Sequence, residues 1–226
     1  MTDADPQDPS TGGAPEATAE EQVAAKAVFG DRLDIARGFV EYLATSGIER
    51  GLLGPREVPR LWSRHVLNCA VIADLMSQDS TVVDVGSGAG LPGLAIAIAR
   101  PDLQLHLVEP LERRVIWLSE VVEALALGNV TVHRARAEQV IGTLSGDYVT
   151  ARAVSALTTL AGWTLPLAVP GGEVLAIKGR SAGEEIEKAR KVIRKLGGGT
   201  PEVVTAGQGV LQEPTTVVRI PVRSPA

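Results

Sequence analysis

The sequence predicts an α/β fold: a mostly parallel sheet of seven strands with helices on both faces, preceded by N-terminal helices. From residue 81 onward, short apolar runs alternate with longer amphipathic runs, an order typical of a parallel, doubly wound sheet. Two apolar runs near the chain end predict a hairpin-like edge. The central observation is TVVDVGSGAGLPG over residues 81–93, where a strand meets a glycine-rich turn and a helix.

Composition narrows the class of protein. The 226 residues suit one domain with an appendage, and 45% are hydrophobic but only 3% aromatic, so the core must be aliphatic. The single cysteine, Cys69, excludes a disulfide framework, and three histidines without ligand spacing predict no metal. No apolar run approaches a membrane span, and no signal-peptide pattern begins the chain. We therefore expect a cytoplasmic monomer without a membrane partner.

The negative charge is concentrated at the N-terminus. The chain carries a net charge of −5, but residues 1–21 hold six acidic residues and no Lys or Arg, which leaves +1 for the rest. A net charge this close to neutral, in the chain after residue 21, permits binding of RNA through a local basic patch but does not require it.

Three regions are predicted. Residues 1–20 are rich in Pro, Gly, Thr and acids, and we expect a disordered acidic tail. Residues 21–78 form an N-terminal helical segment packed on the core, with helices over 21–46 and 55–76. Residues 79–226 form the main domain.

Polar residues line one side of the predicted helix over 55–76. Arg56, Arg60, Arg64 and Asn68 recur every four residues and form a stripe opposite the apolar face. The stripe is either a solvated face or a contact for RNA. His65 lies between stripe and core, as a structural hydrogen-bonded histidine or a functional one.

The sequence of the main domain predicts strands and helices in alternation. Gly128 ends one helix, and Ser181 with Glu184 predicts a capping box at the last helix. The strands are expected at 81–85, 103–109, 130–134, 147–151, 173–178, 203–206 and 215–222, and the helices from 94 and at 112–127, 157–169 and 181–196.

The glycine turn predicts a nucleotide-like ligand, because glycines allow close backbone approach and a helix start offers free N–H groups. The spacing Gly88-x-Gly90-x-x-Gly93 fits a dinucleotide fingerprint. Asp84 argues against that, since a carboxylate facing the ligand would repel a diphosphate and would suit the cationic S-adenosyl-L-methionine (AdoMet). Glu109 ends the next strand, where a carboxylate can accept the ribose hydroxyls of an adenosine.

Five βα units followed by a hairpin edge are the layout of the class I AdoMet-dependent methyltransferases, a Rossmann-like fold. Six segments follow one another over about residues 58–178: LWSRHVLNCAVI, VVDVGSGAGLPGLAIAIARP, LHLVEPLERRVIWL, RARAEQV, VTARAVSAL and LAIKG. In their order and spacing the chain resembles one family of that class, the bacterial 16S rRNA guanine-N7 methyltransferases, also called RsmG or glucose-inhibited division protein B.

The resemblance implies the cofactor AdoMet and the partner 16S rRNA, within the small ribosomal subunit. Together with the turn residues discussed above, the expected cofactor-binding residues are Asp84, Gly86, Gly88, Gly90, Leu91, Glu109, Ala137, Glu138 and Arg152. The expected RNA-binding residues, near the mouth of the site, are Arg60, Arg64, His65, Arg136 and Lys178.

The chain departs from the family at two points. Asn68-Cys69 stands where the family commonly has Asp-Ser, and Glu109 stands where the acid is often Asp. The first departure predicts that a buried carboxylate contact is missing.

The expected reaction needs no general base, because N7 of guanine has a free in-plane lone pair that can attack a sulfonium methyl directly. Arg64 and His65 are candidates for positioning, and Cys69 is expected to be an inert structural thiol. Three alternatives stay open: an AdoMet methyltransferase for another RNA or a small molecule, an NAD-type oxidoreductase, and a non-catalytic RNA-binding module.

Overall fold

A computed structural model describes residues 14–224 and contains one mixed sheet of seven strands. The strand order is β3-β2-β1-β4-β5-β7-β6. The strands are β1 (Thr81–Val85), β2 (Gln104–Glu109), β3 (Val130–Arg134), β4 (Gly146–Arg152), β5 (Ala168–Ile177), β6 (Glu202–Ala206) and β7 (Thr215–Pro221). The α-helices are α1 (Ala19–Phe29), α2 (Leu33–Tyr42), α3 (Asn68–Ala70), α4 (Gly93–Ala99), α5 (Glu112–Ala124), α6 (Ala137–Val140), α7 (Leu157–Thr164) and α8 (Ala182–Lys195).

The sheet has the predicted topology. Strands β1 to β5 are parallel, and β7 pairs antiparallel with both β5 and β6, which makes the hairpin-like edge. Strand order reverses between β1 and β4, and in open α/β sheets a ligand crevice forms at such a point. The carboxyl ends of β1, β2 and β4 therefore meet where a site is expected.

Alternation along the strands sends side chains into two cores. Val82 belongs to a large cluster with the N-terminal helices, α4 and α5, whereas Val83 belongs to a second cluster with α7 and α8. Helices consequently cover both faces of the sheet, as predicted for a doubly wound fold.

The N-terminal helical segment is irregular where one helix was predicted over 55–76. A 3₁₀ turn spans Pro55–Arg60, a wide π turn spans Leu61–Leu67, and α3 and a second 3₁₀ turn at Val71–Leu75 follow. Pro59 lies inside the first turn, and proline cannot donate the N–H that an α-helix requires. The predicted apolar side is nevertheless fully buried, at Leu61, Trp62, Val66, Cys69, Ile72, Ala73 and Met76.

Several predicted boundaries were wrong. Strand β5 begins at Ala168 and runs through Gly171, where φ is +83° and the register of pairing with β4 shifts between Ala168 and Glu173. The predicted capping box at Ser181 does not form, since its hydroxyl donates to Glu185 instead of accepting a backbone N–H. The predicted tail over 1–20 lies mostly outside the described residues, and α1 begins at Ala19 within it.

Within residues 14–224, no helix combines the length and the apolar character needed to cross a membrane.

Candidate functional site

A cavity of about 650 Å³ opens at the carboxyl ends of β1, β2 and β4. Its floor is the turn after β1, and its walls come from the segments after β2, β3 and β4. The N-terminal helical segment adds Leu52 and Leu53. The cavity is therefore the crevice that strand order predicts, partly closed by residues from outside the sheet.

The glycine turn exposes its backbone to the cavity. Gly86 and Gly88 line it with φ values of +72° and +55°, a conformation that costs little only for glycine. The turn is anchored to β2, since the N–H of Gly86 donates to the carbonyl of Val108 at 2.8 Å. A side chain at Gly86 would also crowd Val154, at 3.0 Å from its Cγ2. The turn thus leaves space for a ligand that a larger residue would fill.

Gly90 and Gly93 serve the packing of α4 and do not contact the cavity. A Cβ at Gly90, where φ is +76°, would collide with the side chain of Leu94. A Cβ at Gly93 would collide with Leu107 and lie 2.7 Å from Oδ2 of Asp84. Gly90 was predicted to bind the cofactor; the structure places it against Leu94 and outside the cavity lining, and its role in cofactor binding stays a prediction.

Asp84 lies beneath the glycine turn and is fully buried. Its Oδ2 accepts the N–H of Gly93 at 3.1 Å, and its Oδ1 accepts the hydroxyl of Thr150 at 3.1 Å. Burial raises the pKa of Asp84 to about 6, although these hydrogen bonds and the charge of Arg152 act to lower it. Asp84 was inferred to face the ligand, but it does not line the cavity, and its carboxylate holds the start of α4 and β4 together. Its role in binding the cofactor stays a prediction.

Glu109 ends β2 at the cavity and is 1% exposed. One oxygen accepts the N–H of Gly88 at 3.0 Å, and the other accepts the N–H of Leu111 at 2.9 Å. Because each carboxylate oxygen can accept two hydrogen bonds, acceptor capacity remains for a ligand. Glu109 therefore sets the turn's position and is a buried acidic group of the site, whereas Glu138 is exposed.

Arg114 faces Glu109 across the cavity wall. Its Nη1 lies 3.6 Å from Oε2 of Glu109, while its Nε is buried without a hydrogen-bond partner among the described residues. Sequence reasoning missed this residue. The signal was its position one turn into α5, five residues after Glu109.

Arg152, at the end of β4, lines the cavity and forms hydrogen bonds with the N-terminal helical segment. Its Nη1 donates to the carbonyl of Arg64 at 3.2 Å, and its Nη2 lies 2.6 Å from Nδ1 of His65. Nε2 of His65 lies 2.7 Å from Oε2 of Glu57. His65 is only 5% exposed, which corrects the expectation that it contacts RNA directly.

Lys178 is engaged within the protein. Its Nζ donates to the carbonyl of Ser155 at 2.7 Å and to Glu185 at 2.9 Å. Burial acts to raise the pKa of Glu185, but the hydrogen bonds from Lys178 and the Leu157 N–H outweigh it and lower that pKa. Lys178 therefore ties the loop after β4 to α8, and its side chain, 9% exposed, presents little surface to RNA.

The structure brings together most of the predicted cofactor-binding residues. Those that line the cavity are Gly86, Gly88, Leu91, Glu109, Ala137, Glu138 and Arg152. Of the predicted RNA-binding residues, Arg136 lines the cavity and is exposed, whereas Arg60 and Arg64 are exposed on the N-terminal helical segment and line a separate groove. Residues that sequence reasoning missed are Leu52, Leu53, Glu57, Arg114, Val154 and Trp163, which carry no motif of their own.

The ionisable side chains that line the cavity among the described residues are Glu109, Glu138, Arg114, Arg136 and Arg152, and they include no His, Lys or Cys. Cys69 is buried elsewhere, and burial raises its pKa to about 11 against the charge of nearby Arg152, so the thiol is neutral. The structure unites two histidines that looked scattered, with Nδ1 of His106 3.0 Å from Nε2 of His133, but residues 14–224 contain no cluster of three metal-binding side chains.

Solved structures share this fold at low identity. The ribosomal protein L11 methylase of Lactobacillus delbrueckii aligns with a TM-score of 0.54 at 12% identity, covering 71% of this chain and 79% of that one. A SAM-dependent O-methyltransferase of Thermotoga maritima aligns with a TM-score of 0.53 at 13% identity, covering 70% and 66%. The fold is accordingly the class I methyltransferase fold predicted from the sequence.

Sequence comparison is more specific. Proteins named ribosomal RNA small subunit methyltransferase G match from Pseudarthrobacter chlorophenolicus, at 69% identity over 92% of this chain and 96% of the relative, and from Paenarthrobacter aurescens, at 68% over 93% and 97%. The relative from Salinispora arenicola is 55% identical over 87% and 84%. The GidB family, described as rRNA small subunit methyltransferase G, matches residues 32–213. With this match and the glycine turn, Glu109 and Arg152 gathered at one cavity, the chain belongs to the rRNA small subunit methyltransferase G family.

Proposed function

We propose that this protein transfers a methyl group from AdoMet to N7 of one guanine in the decoding-region loop of 16S rRNA, within the small ribosomal subunit. The observation that carries the proposal is the cavity in which Glu109 and the glycine backbone meet, in a chain 69% identical to a named small-subunit rRNA methyltransferase.

The residues of the cavity suit AdoMet. Glu109 is a buried acid with free acceptor capacity, which matches the two hydroxyls of a ribose. The exposed backbone of Gly86 and Gly88 allows a flat or charged group to approach closely, and Leu111 and Ala137 supply apolar surface. AdoMet, when bound, supplies a methyl group on a positively charged sulfur.

The chain's part in the reaction is to position the reactants. N7 of guanine has a free lone pair at neutral pH, so no proton has to be removed before attack. The ionisable side chains that line the described cavity are two glutamates and three arginines, and this proposal assigns none of them the removal of a proton. Holding two reactants in line is worth roughly 7–11 kcal/mol, and that is where we expect catalysis to originate.

Arg136 is the side chain best placed to meet the phosphate backbone. It is exposed at the cavity mouth, and Gln139 accepts its backbone N–H at 2.8 Å, which fixes the residue at the start of α6. Arg60 and Arg64 are exposed on the N-terminal helical segment, where the carbonyl of Arg64 accepts from Arg152 of the cavity. The RNA-binding residues in this proposal are therefore Arg136 and these two arginines.

Arg136→Glu is expected to raise KM for small subunits about tenfold at low salt and to reduce the salt dependence of binding by about one to two phosphate contacts. The dissociation constant for AdoMet should stay unchanged in calorimetry. Arg194→Glu on α8 makes the same charge change on an exposed surface away from the cavity and serves as control. Equal loss of AdoMet affinity would assign Arg136 to the cofactor instead.

The deciding experiment is methyl transfer from labelled AdoMet to small subunits from a strain that lacks the enzyme. Digestion to nucleosides should give one 7-methylguanosine from the decoding-region loop. Subunits from a strain that retains the enzyme are the control, because their target guanine is already methylated. Tight AdoMet binding without transfer would favour a methyl acceptor other than this guanine.

A further inference from the structure

The N-terminal helical segment contacts the cavity through a chain of three side chains, Glu57, His65 and Arg152. The first link joins Glu57 Oε2 and His65 Nε2 at 2.7 Å, and the second joins His65 Nδ1 and Arg152 Nη2 at 2.6 Å. His65 is almost fully buried between its two partners. A buried histidine with both ring nitrogens engaged is held in one orientation.

The chemistry of the partners selects one tautomer. Arginine only donates hydrogen bonds, so Nδ1 of His65 must be unprotonated and accept from Arg152. Nε2 then carries the hydrogen and donates a hydrogen bond to the carboxylate of Glu57. Burial, and the charge of Arg152, lower the pKa of His65, which keeps the ring neutral near pH 7. The hydrogen bond from His65 lowers the pKa of Glu57, which keeps that carboxylate ionised.

Arg152 is thereby fixed by two acceptors on one turn of the chain. The carbonyl of Arg64 accepts from Nη1 at 3.2 Å, and His65 accepts from Nη2. The charge of Arg152 also acts to lower the pKa values of the buried Asp84 and Cys69, against the larger effect of burial. Its orientation at the cavity depends on the acceptor that His65 provides.

We propose that Glu57 is a positioning residue: by accepting a hydrogen bond from Nε2 of His65, its carboxylate holds that ring in the Nε2–H form, and the ring in turn aims the guanidinium of Arg152 into the cavity. The catalytic consequence of this inference rests on the proposed function. The geometric part of the inference, the tautomer of His65 and the orientation of Arg152, concerns the protein alone. Glu57 does not line the cavity.

Two pairs of variants test the Glu57–His65 hydrogen bond and the His65–Arg152 hydrogen bond separately. Glu57→Gln keeps an acceptor for the Nε2–H of His65, whereas Glu57→Ala removes it. His65→Asn places an amide oxygen where Nδ1 stands and keeps the acceptor for Arg152. His65→Gln places an amide nitrogen where Nε2 stands, which satisfies Glu57 and leaves Arg152 without its acceptor. Glu49→Ala, an exposed acid in the same region, is the charge-matched control.

Glu57→Ala is expected to lower kcat/KM for small subunits about ten- to a hundredfold, since small misplacements of a positioned group cost that much. Glu57→Gln and Glu49→Ala should stay within about threefold of wild type, and His65→Asn should exceed His65→Gln by about tenfold. Thermal unfolding of each variant confirms that the protein is folded. Equal activity of Glu57→Ala and Glu49→Ala, or of the two His65 variants, would overturn the proposal.

A spectroscopic readout tests the same idea without the reaction. In the full-length protein without RNA, the side-chain nitrogen shifts of His65 should show an unprotonated Nδ1 and a protonated Nε2 at pH 7. The Nε2–H signal should persist in Glu57→Gln and disappear by exchange in Glu57→Ala. An Nδ1–H tautomer or an imidazolium in wild type would refute the positioning role even if methyl transfer is normal. If wild type transfers no methyl group, the proposed function fails, and these shifts still decide the geometry.

Discussion

Replacement of Glu109 by alanine is expected to weaken binding of AdoMet about a hundredfold. Glu109 is the buried acid of the cavity, and its oxygens already order the N–H groups of Gly88 and Leu111. Loss of a charged acceptor costs about 1.5–3 kcal/mol per hydrogen bond to the ligand, and tenfold in affinity corresponds to about 1.4 kcal/mol. Isothermal calorimetry with AdoMet measures the effect directly.

Two variants make the Glu109 experiment specific. Glu109→Asp keeps the carboxylate, and we expect it to lose about tenfold or less, because the family often carries aspartate here. Glu112→Ala removes an exposed acid nearby that pairs with Arg134 and should bind AdoMet like wild type. If Glu109→Ala binds as tightly as Glu112→Ala, Glu109 is only a structural support of the turn.

Asp84 gives the second large effect, and its two variants should behave in opposite ways. Asp84→Ala leaves the buried N–H of Gly93 without an acceptor and opens space under the turn. We expect a loss of about 3 kcal/mol in unfolding free energy and no measurable AdoMet binding. Asp84→Asn can rebuild both contacts, accepting from Gly93 and donating to the hydroxyl of Thr150, so it should fold and bind AdoMet.

The pH dependence of Asp84→Asn follows from the raised pKa of Asp84. That pKa is about 6 in the folded protein against an ordinary 3.8, so the folded state holds the proton more tightly. This group therefore favours the folded state below pH 3.8, and its contribution is lost as the pH rises to about 6. Wild type should lose up to about 3 kcal/mol relative to the Asn variant over that window.

Chemical denaturation of both proteins between pH 4 and 8 measures this difference. The Asn variant should be the more stable at pH 7, and the difference should shrink towards pH 4. A constant difference would mean that Asp84 titrates normally. A folded Asn variant that fails to bind AdoMet would show that the negative charge itself attracts the cofactor, which is the role first inferred from the sequence.

The fold was predictable because its signals are local. Strands β1 and β3 have the predicted bounds, since β-branched runs are flanked by clear turn residues. The order of strands and helices sufficed for the topology, because parallel strands need helical connections. The irregular helical turns over 55–75 were not predictable, since they depend on how a proline-containing segment packs against the sheet.

The site was predictable where a motif marks it and not where tertiary contacts build it. Glycine spacing and an acid at a strand end identified Gly86, Gly88 and Glu109. Sequence spacing could not show that Asp84 lies outside the cavity lining. Alternation along a short strand tells which residues share a face of the sheet, but not which face meets the cavity. Glu57 lies 95 residues before Arg152, and only folding brings the two to the same histidine.

Leu52 and Leu53 place a wall of the cavity outside the sheet domain. The largest core cluster likewise mixes side chains from before residue 79, such as Phe39 and Leu61, with Leu94 and Leu105. Residue 79 therefore separates two stretches of chain that share one hydrophobic interior. A fragment that begins at residue 79 would lack one wall of the cavity and would expose apolar surface that the preceding helices cover. We therefore expect such a truncation to reduce cofactor affinity and solubility together.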